Sequence, residues 1–158
     1  MDLILWRHAE AYPQEEEQED LHRPLTAKGQ RQAKRVAEWL NRVLPERVRI
    51  LASPAARTVQ TADALGRRYK VCPSLSPGNS VEALLAEARW PSAREATLVV
   101  GHQPTLGLCA AYLMGCEVLL AEDPWRLKKG GVWWLRAGTA EDGRLTVSTV
   151  AVRSPELL

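Results

Sequence analysis

Two arginines and two histidines are the residues of this sequence best suited to act together as a chemical site: Arg7, His8, Arg57 and His102. A neutral imidazole is a competent nucleophile toward phosphorus, provided that an acceptor, which we expect to be a backbone carbonyl, fixes its tautomer. Guanidinium groups stay charged and present planar pairs of donors that match phosphate oxygens. A second imidazole can donate one more hydrogen bond, best when it is protonated. These residue types suit phosphoryl transfer without a metal ion or a cofactor.

Short apolar runs, typical of buried strands, precede each of these residues. The runs are Leu3–Trp6, Val48–Ala52 and Thr97–Val100. Arg7 and His8 follow the first run directly. Arg57 lies one helical turn beyond the second run, and His102 comes just after the third. Because ligands bind beyond the carboxyl ends of the strands in open α/β sheets, we expect one cationic pocket at that edge, suited to a compact dianion such as phosphate.

Each of these four residues also has a structural alternative that the sequence leaves open. Arg7 could be a surface cation, and His8 could be a buried histidine with satisfied hydrogen bonds. His102 could cap the helix that follows it. Arg57 could pair with a carboxylate such as Glu10.

Capping residues and breakers predict the helices that would position these side chains. Thr26 and Ser80 are predicted N-caps, and Ser53 is predicted to cap a helix whose first residue is Pro54. Gly66 suits a left-handed helix end. The expected elements are helices from Thr26 to Pro45, from Pro54 to Leu65, after Ser80 and from Pro104 to Gly115, and a short strand over Tyr69–Cys72.

The order of these elements predicts the fold class. Strands that alternate with helices imply a parallel sheet covered on both faces. Two later strand-like runs, 132–135 and 145–152, flank the hairpin signal Asp142-Gly143 and are expected to add an antiparallel edge. We therefore predict an α/β fold, a three-layer α/β/α arrangement with a mostly parallel central sheet, in a single domain over residues 1–158.

Composition excludes several classes of protein. A net charge of +2 on 158 residues, without a basic tract, argues against a nucleic-acid partner. No run of 18 apolar residues predicts a membrane span, and the N-terminal residues lack the pattern of a signal peptide. The three cysteines are Cys72, Cys109 and Cys116. They lack Cys-x-x-Cys spacing, which argues against a zinc site or a disulfide framework, and free, buried thiols fit the cytoplasm. The sequence leaves the oligomeric state open.

Three segments resemble the signature blocks of the histidine phosphatase (phosphoglycerate mutase-like) superfamily. They are Leu5–Glu10, Ser53–Ala62 and Val99–Pro104, which occur in the family's order. The resemblance implies a phosphatase in which His8 is the phosphorylated nucleophile, while Arg7, Arg57 and His102 hold the phosphate. One departure is Ala9, which stands where the signature has glycine.

Within that superfamily the chain looks most like the SixA-type phosphohistidine phosphatases, which are among its shortest members. The segment Arg23–Gly29 resembles theirs, and the short connection 73–80 lies where larger relatives insert a helical lid. Hydrolysis of an alkyl phosphate needs a general acid. The nearest candidate is Glu82, which could equally serve the dipole of its helix. The resemblance therefore favours a protein phosphohistidine substrate; the alternatives are a small phosphorylated metabolite or a non-catalytic phosphate-binding module.

Two further features of the sequence have open interpretations. The acidic segment from Glu15 to Asp20 follows the Arg-His turn closely. It could border the pocket, where it would repel free polyanions or contact a basic partner, or it could be a solvated loop. The adjacent Trp133 and Trp134 must face opposite sides of their strand, so one of them could be exposed as a contact surface.

Overall fold

A mixed β-sheet forms the centre of the protein, which a computed structural model describes over residues 1–116 and 125–158. In these residues the sheet has six strands in the order β3-β2-β4-β1-β5-β6. The first four are mutually parallel, and β5 and β6 are antiparallel additions on the β1 side. The strands are β1 (Asp2–Arg7), β2 (Val48–Ala52), β3 (Lys70–Val71), β4 (Ala96–Gly101), β5 (Val132–Thr139) and β6 (Leu145–Arg153).

Helices cover both faces of this sheet, which confirms the predicted three-layer α/β/α fold. They are α1 (Ala27–Val43), α2 (Ala56–Asp63), α3 (Val81–Ala88) and α4 (Thr105–Leu113). On one face, α1 and α2 pack on side chains such as Trp6 and Ile50. On the other face, α3 and α4 pack on alternate residues of the same strands, such as Leu5 and Leu51. This alternation follows from the period of two in a strand.

The local signals for α1 and α3 are confirmed. The Thr26 hydroxyl accepts a hydrogen bond from Gly29 N, and the Ser80 hydroxyl accepts one from Ala83 N, so both cap the first turn of their helices. Each bond satisfies one of the amide groups that a helix start leaves without a partner. The strands β1 and β4 each extend one residue or more beyond the predicted runs, while β2 matches its prediction.

The prediction for the start of α2 is wrong. The N-cap is Ala55, so the helix begins two residues later than the expected Pro54. The Ser53 side chain accepts a bond from Ala55 N, but it also lies 2.7 Å from His102 Nε2, and this tertiary contact uses the group that would have capped the helix. The helix also ends earlier than expected, at Asp63, although Gly66 does adopt a positive φ of 63°. The short strand covers only Lys70–Val71 of the predicted Tyr69–Cys72.

Two further predictions, for the tryptophans and for the cysteines, can be compared with the structure. Trp134 is buried in the core, while the half-buried Trp133 stacks on Trp125 with ring centroids 4.7 Å apart, so neither forms the exposed contact surface considered above. Cys72 and Cys109 are buried as expected, but Cys116 is exposed, which corrects the prediction for that residue. Within the described residues, no helix has the length and apolar character needed to cross a membrane.

Candidate active site

The four residues singled out by the sequence lie together at the carboxyl edge of the parallel strands. Arg7 ends β1 and pairs in register with Gly101, the last residue of β4. His8 and His102 therefore leave neighbouring strands side by side, and their ring centroids are 5.3 Å apart. Arg57 lies in the first turn of α2, as predicted, and its charge acts on both rings. The site is thus built from strand ends and one helix start, which are rigid elements.

His8 has its tautomer fixed by a backbone carbonyl. Its Nδ1 lies 2.7 Å from the carbonyl oxygen of Ala9, which can only accept a hydrogen bond. The proton of the neutral ring is therefore on Nδ1, and Nε2 keeps its lone pair. The backbone on both sides of the ring is anchored as well, since His8 N donates to Gly101 O and Ala9 N donates to the Thr61 hydroxyl at 3.1 Å. A buried imidazole held this way presents one nucleophilic nitrogen.

The charge state of His8 follows from its surroundings. Burial is the main cause that lowers its pKa to about 3, the Ala9 carbonyl opposes this change, and the positive charges of Arg57, Arg7 and Arg23 lower it further. Burial disfavours the charged form of a histidine, and neighbouring cations act in the same direction. The ring is consequently neutral throughout the physiological pH range, as a nucleophile must be.

His102 is also neutral. Burial is the main cause that lowers its pKa to about 3. Protonation of both imidazoles would bring two positive charges together, and the charge of Arg57 acts in the same direction, while the Asp20 carboxylate opposes them. The Ser53 hydroxyl already accepts from Ala55 N, so its own proton is available to His102 Nε2, 2.7 Å away. This arrangement places the ring proton of His102 on Nδ1, which makes that nitrogen a neutral donor. We expected the donor to be most effective as a cation, but these surroundings favour the neutral form.

Arg7 is oriented by backbone carbonyls of the segment 127–131. Its Nη1 donates to Leu127 O at 2.7 Å, while its own amide donates to Gly131 O. The same segment returns a bond to the strand end, because Gly130 N donates to His8 O at 3.0 Å. Gly130 has a φ of 72°, a conformation that side chains rarely adopt. These contacts hold the guanidinium at the end of β1.

Arg57 is oriented by a carboxylate instead. Its side chain is 4% exposed, its Nη2 donates to Asp20 Oδ2 at 2.9 Å, and its Nη1 donates to Asp20 O at 2.8 Å. Asp20 begins a short 3₁₀ turn, Asp20–His22, in the acidic segment. The carboxylate partner of Arg57 is therefore Asp20 and not Glu10, whose side chain accepts from Thr26 and pairs with Lys28.

Arg23 is the second partner of Asp20 and was missed as a site residue. Its Nε donates to Asp20 Oδ1 at 2.9 Å. Partial burial opposes ionisation of Asp20, but the hydrogen bonds from Arg57 and Arg23 prevail and lower the pKa of this carboxyl. The sequence shows an arginine three residues before the N-cap Thr26, but nothing in it indicated a contact with Asp20. The acidic segment therefore borders the pocket through Asp20, as one of our two interpretations held.

The alternatives for the remaining residues can be compared with the structure. The N-cap of α4 is Pro104, and the His102 ring contacts Ser53, so His102 does not cap that helix. Glu82, the candidate proton donor, lines a groove between α3 and α4 with Leu108 and Tyr112. Its place in the first turn of α3 suits the helix dipole.

Two buried donors at the site have no hydrogen-bond partner among the described residues. They are Arg57 Nε and His102 Nδ1. Buried polar groups are nearly always paired, so such donors suit an acceptor supplied by a ligand. Together with Arg7 at the end of β1, they give the site several hydrogen-bond donors, as a tetrahedral oxyanion requires.

Comparisons with known proteins place the chain among phosphatases. The family model of the histidine phosphatase superfamily (branch 1) matches residues 3–78. An uncharacterised protein of Picosynechococcus sp. is 38% identical over 147 residues, 89% of this chain and 87% of that protein. The phosphohistidine phosphatase SixA of Escherichia coli is 30% identical over 121 residues, 72% of this chain and 74% of that protein.

A solved structure extends the likeness to almost the whole chain. The protein histidine phosphatase SixA complexed with tungstate matches with a TM-score of 0.73 and 26% identity, over 98% of this chain and 97% of that one. The α/β fold described above is that of this phosphoglycerate mutase-like architecture. Because SixA of Escherichia coli is 30% identical over more than two thirds of both chains, the chain belongs to the histidine phosphatase superfamily, a family of hydrolases that need no metal ion.

Proposed function

We propose that residues 1–158 act as one catalytic domain, a SixA-type phosphatase that removes phosphoryl groups from phosphohistidine in proteins. The observation that carries this proposal is the 2.7 Å contact between His8 Nδ1 and Ala9 O, which leaves Nε2 as the free nucleophile. The names of the similar SixA proteins support the substrate class. The free cysteines of the described residues fit a cytoplasmic location.

The reaction proceeds in two displacements at phosphorus. His8 Nε2 attacks the phosphoryl group and forms an N–P bond, while the N–P bond to the substrate imidazole breaks and that imidazole takes up a proton. Water then attacks the phosphoenzyme, the bond to Nε2 breaks, and orthophosphate leaves with neutral His8 restored. Arg7, Arg57 and His102 Nδ1 donate to the equatorial oxygens, whose charge is spread in the transition state.

The leaving group is the reason to prefer a phosphoramidate over an alkyl ester. An alkoxide leaves poorly without a proton donor, whereas an imidazole leaves with little assistance. Asp20, the carboxylate bound to Arg57, is a poor proton donor. Partial burial raises its pKa, but the hydrogen bonds from Arg57 and Arg23 outweigh burial and lower it. Glu82 lines the groove between α3 and α4. The site therefore supplies strong phosphate binding and a nucleophile, which is what phosphohistidine requires.

Trapping of the phosphoenzyme tests the proposal. A histidine-phosphorylated protein labelled with ³²P is mixed briefly with the enzyme, and the label on the enzyme is challenged with acid and with base. We expect label that survives base and is lost in acid, as for a phosphoramidate. His8→Ala should abolish the label and lower turnover by at least about 10⁴-fold, as removal of a nucleophile does.

A matched control uses the third histidine of the chain. The His22 side chain is 71% exposed and lies outside the site. The His22→Ala variant should therefore become labelled to the same extent as the wild-type enzyme. Rapid turnover of small alkyl phosphates, with none of phosphohistidine protein, would assign the enzyme to small metabolites instead. Phosphate binding without any labelling of the wild-type chain would identify a binding module.

A further inference from the structure

We propose that Asp20 determines substrate specificity: its carboxylate, held at Arg57, selects phosphoryl groups carried by neutral or cationic groups and rejects phosphates that carry a nearby carboxylate. This inference rests on the proposed function, because it concerns which phosphorylated groups the same pocket accepts. It assigns a role to a residue of the acidic segment that the mechanism above does not use.

Asp20 and a phosphoryl group can share Arg57. A guanidinium has five N–H donors, and Asp20 takes one from each terminal nitrogen. Arg57 Nε is buried and has no partner among the described residues, so it remains for the ligand together with the second proton of each Nη. Arg23 gives Asp20 a second anchor at 2.9 Å. The carboxylate therefore stays beside the phosphoryl group when substrate binds.

The charges beside Arg57 favour one class of ligand. A phosphoryl group on a neutral imidazole brings no negative charge other than its own to Arg57. A ligand with a further carboxylate next to its phosphoryl group would bring that charge close to the Asp20 carboxylate, which lies 2.9 Å from Arg57 Nη2. Like charges within several ångströms repel appreciably at a partly buried position.

Asp20 is the member of the acidic segment that contacts the site. It has 39% of its side chain exposed, so it faces solvent as well as Arg57. Four exposed glutamates precede it along the chain: Glu15, Glu16, Glu17 and Glu19. Because exposed charges are screened by solvent and salt, these glutamates act on a bound ligand far less than Asp20 does.

Ligand binding measured by calorimetry tests this role without any need for turnover. Methylphosphonate and phosphonoacetate form a matched pair, since phosphonoacetate adds a carboxylate to the same phosphonate. We expect the wild-type protein to prefer methylphosphonate. Asp20→Asn keeps the size of the side chain and removes its charge. It should therefore raise the affinity for phosphonoacetate, so that the ratio of the affinities for methylphosphonate and phosphonoacetate falls about fivefold.

The matched control is Glu16→Gln, which changes the net charge equally. Glu16 is exposed and belongs to the same acidic segment. It should leave the affinity ratio within about 1.5-fold of wild type, because charges in open solvent are screened. If Asp20→Asn does not fold, Asp20→Ser offers a smaller neutral side chain for the same measurement.

The outcomes separate this inference from the proposed function. An unchanged ratio in Asp20→Asn, an equal change in Glu16→Gln, or no binding of methylphosphonate by wild type overturns the role of Asp20. A chain that binds both ligands as expected but never forms a phosphoenzyme would sustain the specificity role and refute the catalytic proposal.

Discussion

The two arginines of the site are held in opposite ways. Arg7, at the end of β1, donates to the Leu127 carbonyl, which has a dipole but no net charge. Arg57, at the start of α2, donates to both a carbonyl and a carboxylate of Asp20. The first region orients its cation through main-chain atoms of a distant segment. The second region orients its cation with a carboxylate as well, which offsets part of its charge.

The difference shows how affinity and selectivity can be divided between neighbouring groups. A guanidinium paired with a carboxylate attracts a dianion less than an uncompensated guanidinium does, and it responds to the other charges that the dianion carries. The burial of Arg57 requires a partner of this kind, because an unpaired buried charge is costly. Arg7 is partly exposed, so the cost of desolvating its charge is smaller.

Among changes that leave the nucleophile in place, removal of either arginine should produce the largest effect. Arg7→Ala and Arg57→Ala are each expected to lower kcat/KM for a phosphohistidine peptide about 100- to 1,000-fold, as loss of a fixed oxyanion donor does. The exposed Arg31 of α1 provides the control, and Arg31→Ala should retain wild-type kinetics. Kinetics close to wild type in Arg7→Ala or in Arg57→Ala would contradict the role of that arginine.

Acid should destabilise the protein through the two imidazoles that lie between these arginines. Each has a pKa of about 3 when folded, against an ordinary value of 6.5, so between these values the unfolded chain binds more protons. Stability therefore falls as the pH decreases from about 6.5 toward 3, and it is fully present above that window. From pH 7.5 to 5 we expect a loss of about 2 kcal/mol per imidazole in urea unfolding.

A variant with one imidazole sharpens this measurement. His102→Asn should lose about half as much stability over the same pH interval, whereas His22→Ala, at an exposed position, should lose as much as wild type. Equal pH dependence in wild type and His102→Asn would mean that the ring is not buried in its neutral form.

A double-mutant cycle measures the pairing on which the comparison rests. Asp20→Asn should change the affinity for orthophosphate by a factor that differs about tenfold between the wild-type background and the Arg57→Ala background, since the two side chains are in contact. In the Arg7→Ala background, the effects of the two substitutions on this affinity should be additive within about twofold. Coupling of similar size in both cycles would show that Asp20 acts on the whole pocket and not through Arg57.

The smallest expected effect concerns the support of His102. Ser53→Ala removes the hydroxyl at 2.7 Å from Nε2, which should lower kcat/KM about fivefold and stability by about 1 kcal/mol. Ser80→Ala, which removes the cap of α3, should cost similar stability without altering kcat/KM. If both variants lose activity equally, the effect of Ser53 is only one of folding.

Sequence reasoning predicted the elements and the convergence at the sheet edge because both depend on local patterns. Apolar runs gave the strands, and the residues just beyond them share an edge in any parallel sheet. The sequence predicted that a backbone carbonyl would accept from His8, since a buried neutral ring needs an acceptor, but it did not indicate that this carbonyl belongs to Ala9. The capping residues Thr26 and Ser80 also act within their own turns.

Contacts between distant segments could not be predicted in the same way. Ser53 has the local signature of an N-cap, yet it contacts a histidine 49 residues away. The acidic segment has no periodicity that distinguishes Asp20 from its neighbours, and the carboxylate that the sequence offered as a possible partner of Arg57 was Glu10. The exposure of Cys116 likewise depends on what packs around the end of α4.

The position after the nucleophile illustrates what this site requires from the sequence and what it leaves free. Ala9 contributes only main-chain atoms to the chemistry: its carbonyl accepts from His8, and its amide donates to Thr61. Its methyl group is completely enclosed. Natural variation at this position should therefore be limited by volume alone, so glycine and alanine can replace each other during evolution while any larger residue would displace the ring that carries the phosphoryl group.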